Sequence, residues 1–187
     1  MTSRPGPATA LAALALAASA CSGGDSESAP SPSTEPGTAQ TTGSGAEADA
    51  RNRFVAEADA LCTGVRKAGD GILARLERIE AGTQPERTKA TQLARVFGDQ
   101  IRIIADFRNR LADLEPPPGD RARVAELVAA LDDGAAALTR VRAALADGDF
   151  DRANELLPDY VAAVDEGNRL AREYGFEVCG SGPASGG

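Results

Sequence analysis

Residues 147–175 read DGDFDRANELLPDYVAAVDEGNRLAREYG, and their spacing decides the fold class. Phe150, Ala153, Leu157, Tyr160, Val164, Gly167, Ala171 and Tyr174 recur at intervals of three and four without a slip, the one-sided pattern of an amphipathic helix. Asp149 stands where an N-cap belongs, because a short carboxylate accepts from the free N–H groups of a first turn. Gly148 closes the helix before it and Gly175 ends this one. Pro158 inside the pattern predicts a kink near Leu157.

The same period continues upstream. A third segment starts behind a capping Asp120 and carries Val124, Val128, Leu131, Ala135, Leu138, Val141 and Leu145. Before it, Pro116-Pro117-Pro118-Gly119 stops any helix, since proline lacks the donor and blocks the preceding turn. The second segment begins near Thr83 with Pro85 in its first turn, and its stripe is Leu93, Phe97, Ile101, Ile104, Phe107, Leu111 and Leu114. The first runs from Arg51 through Phe54, Ala58, Leu61, Val65, Ala68, Ile72, Leu76 and Ile79 to Ala81-Gly82, where the glycine fits a left-handed cap. Short connections force each helix to run antiparallel to the last, so the expected domain, residues 51–180, is an all-α, up-down-up-down four-helix bundle.

Composition narrows function by exclusion. The 187 residues are 42% hydrophobic and 4% aromatic and hold no His and no Trp. Without histidine there is no Ser-His-Asp or Cys-His hydrolase, no His-ligated haem and no Glu-x-x-His di-iron set. A net charge of −8 argues against a nucleic-acid surface.

The N-terminus differs from the rest. Arg4 precedes an uncharged run, Ala8 to Ala18, that would span about 16 Å as a helix against about 30 Å of bilayer core, which fits a signal-peptide apolar region and not a membrane span. It ends in Ala18-Ser19-Ala20-Cys21. This segment resembles a bacterial lipoprotein precursor, in which small residues precede a Cys that receives diacylglycerol and becomes the new N-terminus. The resemblance implies a signal peptide over 1–20, lipidation of Cys21 and attachment to the cell membrane. Ala18-Ser19-Ala20 is also a plain A-x-A site, which would release a secreted protein cut at the same bond. Residues 22–50 hold eighteen Ser, Thr, Gly or Pro and no large aliphatic residue, so residues 21–50 are expected to be a disordered tether; 181–187 form a similar tail.

If Cys21 is acylated, Cys62 and Cys179 remain, and in an oxidising compartment one disulfide is the simplest arrangement. Lengths permit it. The fourth helix rises about 37 Å and overshoots Cys62 by about 9 Å, within reach of the four residues 176–179 folding back. Ala58-Asp59-Ala60-Leu61-Cys62 together with Tyr174-Gly175-Phe176-Glu177-Val178-Cys179-Gly180 is similar to a group of uncharacterised small actinobacterial lipoproteins. That resemblance implies location and architecture, and no activity.

The remaining constellations read as structure. Counted from Asp147, the sixth and twelfth positions of a calcium loop would be Arg152 and Pro158, which breaks the pattern. Arg102, Arg108, Arg110, Arg121 and Arg123 form a basic region interleaved with Asp99, Asp106, Asp113 and Asp120, which points to local neutralisation. Tyr160, Gly167 and Asn168 put small and polar residues in the core stripe, the pattern either of a ligand pocket or of two helices in close approach. The expected function is a non-enzymatic binding or interaction module at the cell envelope, without catalytic residues, metal or cofactor, facing an envelope protein or polymer. The alternative is a small-molecule or ion carrier with its pocket inside the bundle near Tyr160, Gly167 and Asn168.

Overall fold

The computed structural model describes residues 42–181. Four helices, α1 (Thr42–Ala81), α2 (Glu86–Asp113), α3 (Arg121–Asp147) and α4 (Phe150–Tyr174), run up, down, up and down, with 3-10 turns at Pro118–Asp120 and Cys179–Ser181. The chain is an all-α four-helix bundle. α3 packs most extensively on α4, α2 on α3, and α1 on α2, while the last 3-10 turn ties α4 to α1. The signal peptide, Cys21, residues 22–41 of the tether and the tail from 182 lie outside the described residues.

The ends of α3 and α4 form as their residues dictate. Asp149 accepts from the Arg152 N–H at 2.9 Å. Gly148 (φ 80°) and Gly175 (φ 106°) are left-handed, and in each case the next residue's N–H reaches back to a carbonyl of the last turn: Asp149 to Ala144 at 2.9 Å and Phe176 to Ala171 at 3.0 Å. Pro158 is exposed, and α4 runs without interruption through it from Phe150 to Tyr174.

Four boundary details depart from the sequence reading. α1 begins at Thr42, inside the segment read as tether, because Ala46-Glu47-Ala48-Asp49-Ala50 are compatible with helix and extend the exposed first turns without needing a core. α2 begins at Glu86 with Pro85 as its N-cap. Gly82 is not left-handed. The end of α1 is satisfied by side chains instead, with Gln84 Nε2 donating to the Ile79 carbonyl and Lys89 Nζ to that of Glu80, both at 3.1 Å. A Cβ on Gly82 would lie 2.0 Å from Gln84 Oε1, so the glycine clears a path for that cap. Asp120 makes no capping bond either; the 3-10 turn leads straight into α3 and its carboxylate is engaged elsewhere.

The core has two lobes. At the α1 C-terminal end Ile72, Ile79, Phe97, Leu138, Leu145 and Leu157 interlock; at the other end Phe54, Ala58, Phe107, Leu111, Tyr174 and Phe176 do. Between them α3 turns a small face inward. Leu127, Ala130, Gly134 and Ala137 are buried, whereas Val128, Leu131 and Ala135 of the expected stripe are half-buried. The reason is α4. A Cβ on Gly134 would lie 3.8 Å from that of Ala163, and one on Gly167 3.9 Å from that of Ala130, so the two helices already touch through their smallest residues. These distances are ordinary contacts, so Gly134→Ala and Gly167→Ala are each expected to stabilise the domain, by about 0.5–1 kcal/mol from helix propensity. Chemical denaturation measures this; a loss of stability in both would mean that the interface has no room for a methyl.

Candidate functional site

The C-terminal segment docks on α1 through a dense set of contacts. Cys62 and Cys179 form a disulfide with Cα atoms 5.3 Å apart, closing a sequence separation of 117 residues. Beside it the Asp59 carboxylate receives three backbone N–H groups, from Glu177 at 3.0 Å, Val178 at 2.9 Å and Cys179 at 3.0 Å. One side chain on α1 thereby satisfies three successive backbone donors of the segment that leads into the last 3-10 turn. Gly180 then presses on α4; a Cβ there would come within 3.1 Å of the Arg172 backbone, and Arg172 donates to the Gly180 carbonyl at 3.1 Å.

An aromatic cluster lies beneath. Tyr174 stacks on Phe176 at 4.8 Å and meets Phe54 edge-on at 5.7 Å. Arg51 covers the Tyr174 ring at 4.7 Å and donates to its carbonyl at 2.9 Å, while Asp120 accepts from the Tyr174 hydroxyl at 3.0 Å and pairs with Arg51 at 3.7 Å. Asp120 is thus drawn from capping to a buried phenol. Burial first, and then the bond to Asp120, pushes the Tyr174 hydroxyl up to about 12. The fold therefore holds the neutral phenol. Its contribution is complete below the free-tyrosine value of 10.0 and is lost as pH rises through about 12. Melting curves across that interval are expected to fall more steeply for the native chain than for Tyr174→Phe, and equal slopes would refute the coupling.

Tyr160, Gly167 and Asn168 share one side of α4, but they line neither the hollow at the α1–α2 corner nor the one beside Pro116-Pro117-Pro118. Gly167 is in contact range of α3, as above. Burial raises the Tyr160 hydroxyl's pKa, and the Asn168 Nδ2 atom is buried without a partner. Close helix approach thus accounts for the glycine, and Tyr160 packs against the core lobe of Ile72, Leu138 and Leu157.

Most of the basic region is neutralised as the interleaved acids suggest. Arg102 pairs with Asp99, Arg110 with Asp106 at 3.8 Å, and Arg108 with Asp132 on α3 at 3.1 Å. Asp99 also binds Arg75 of α1, and that hydrogen bond, helped by the charges of Arg75 and Arg102, holds its carboxyl below the usual carboxylate range. Among the described residues no three His, Cys, Asp or Glu side chains are grouped so as to hold a metal ion, and no helix is long and apolar enough to cross a membrane.

A second arginine group escaped the sequence reading. At the corner where α1 meets α2, a hollow of about 380 Å³ is walled by Arg75 and Arg78 on one side and by Gln84, Gln92 and Arg95 on the other, over a floor of Ile79 and Val96. No carboxylate lines it. The residues come from two helices separated by a turn, so the only linear signal is an Arg-x-x-Arg spacing that any solvated helix face shows. A second hollow, about 310 Å³, lies beside Pro116-Pro117-Pro118 and mixes Arg53 and Arg121 with Glu57 and Glu115, which leaves it without a net charge preference.

No family model matches the chain, and neither a curated protein nor a solved structure does.

Proposed function

We propose that the chain is an exported lipoprotein, held on the outer side of the cell membrane by lipid on Cys21, whose helical domain is a non-enzymatic binding module. The observation that carries this reading is the Cys62–Cys179 disulfide. It fits an oxidising compartment, and it accounts for two of three cysteines, leaving Cys21 behind a lipoprotein-like run of small residues. A disulfide that ties the C-terminal segment to α1 also suits a module that works away from cytoplasmic reductants. Tyr160, Gly167 and Asn168 favour the carrier alternative less, since Gly167 lies against Ala130.

Labelling cells with a fatty-acid analogue tests the anchor. The native chain is expected to take up label and to sediment with membranes, whereas Cys21→Ala is expected to take up none. Equal labelling of both, or an unlabelled native chain, would refute the lipoprotein reading.

A further inference from the structure

We propose that the hollow at the α1–α2 corner binds a phosphate group, through the guanidinium groups of Arg78 and Arg95 and the Gln92 amide. The proposal deepens the binding-module reading by naming the class of ligand, and its test does not depend on the lipid anchor.

Charge makes the first argument. The chain has 28 acids against 20 bases, and several arginines on the bundle find carboxylates, such as Arg108 with Asp132 and Arg140 with Asp159. Arg78 and Arg95 do not. Arg95 makes no hydrogen bond or ion pair among the described residues, and Arg78 gives only its Nε, to the Ala74 carbonyl at 3.1 Å. Arg75 is the one wall residue with an acid, Asp99, which it shares with Arg102. A fourth cation flanks the group: Arg142 of α3 lies across Gly98, one turn beyond Arg95, with its Nε 3.3 Å from where a Cβ would stand. A cluster of like charges facing a concave surface repels itself and gains from a polyvalent anion.

Donor geometry makes the second. Gln84 donates to Gln92 Oε1 at 3.0 Å, which leaves the Gln92 amide N–H groups free to donate. The carbonyl end of α1, which would repel an anion, is already occupied by Gln84 and Lys89. Guanidinium forks from two facing walls suit a tetrahedral phosphate, whose oxygens can accept from both sides at once, better than a planar carboxylate. The floor of Ile79 and Val96 is buried, at 9% and 1% exposure, so the group would rest on packed core. The site stands about 50 Å along α1 from Thr42, at the end of the domain remote from the helix's start.

The test titrates the disulfide-bonded chain from Ser22 onward, which contains every described residue. Three probes are used: inorganic phosphate, glycerol phosphate, and neutral vesicles with and without phosphatidylglycerol. Calorimetry and vesicle co-sedimentation read binding. Saturable, salt-sensitive binding is expected, weakened at least about tenfold in the double variant Arg78→Gln/Arg95→Gln, since each lost charged hydrogen bond is worth that much. The control Arg110→Gln, at the other end of α2, is expected to bind as the parent does. Binding of the soluble probes assigns the site to a free or polymer-borne phosphate; binding of phosphatidylglycerol vesicles alone assigns it to a headgroup. Failure to bind any probe, or equal binding by the double variant with an unchanged melting curve, overturns the proposal. If the double variant melts early, Arg95→Gln alone, on an exposed position, decides by the same criterion.

Discussion

Removing the Cys62–Cys179 bond, by Cys62→Ser or by reductant, is expected to lower the melting temperature by about 15 °C, equivalent to about 4–5 kcal/mol for a loop of this length. The bridge spans 117 residues and so restricts nearly the whole described chain when unfolded. The folded state needs that help at this end. α1 meets α4 largely through the C-terminal segment, and residues 176–181 contain one 3-10 turn and few backbone bonds of their own. Without the bond, Phe176 (4% exposed) keeps its packing and its N–H bond to Ala171, and the residues after it are held to α1 chiefly by Asp59. Calorimetry with and without reductant measures the effect. An unchanged transition, or two free thiols at Cys62 and Cys179 in the protein isolated without reductant, would refute the role given to the bridge.

Asp59→Ala is expected to cost about 2–4 kcal/mol, because three N–H groups lose a charged acceptor and at least two of them are partly sheltered from water. Asp59→Asn is expected to lie between, since its amide keeps one oxygen for Val178 and Cys179 but turns a donor toward the Glu177 N–H. Both Asp59 and the disulfide hold the same segment to the same turn of α1. Their effects are therefore expected to be less than additive: once either has gone, the segment is partly released and the other has less to hold. A double-mutant cycle of Asp59→Ala with Cys62→Ser, read by denaturant unfolding, checks this. Strict additivity would mean that the two act on independent structures.

The helices were legible in the sequence because their signals are local. The helical period of the four segments, the Asp149 cap and the glycines at 148 and 175 depend on spacing along one chain, and the helices, that cap and those two glycine ends formed where the spacing placed them. What was misread depended on partners distant in sequence. Gly82 is next to a glutamine that takes over its capping role, Asp120 is diverted by Tyr174 and Arg51, and the inward face of α3 is set by Ala163 and Gly167 on α4. The arginine hollow belongs with these, as Arg78 and Arg95 become neighbours only when α2 folds back on α1.

The sequence by itself determined four antiparallel helices, their order and the two cysteines able to join the domain's ends, since turn chemistry and a 3.6-residue period require no knowledge of neighbours. Tertiary structure alone decided that the α3–α4 waist is close-packed, that Asp59 holds the C-terminal segment and that unpaired arginines face one another across a corner. Those depend on which helix surfaces meet, and burial and charge pairing are settled only when they do.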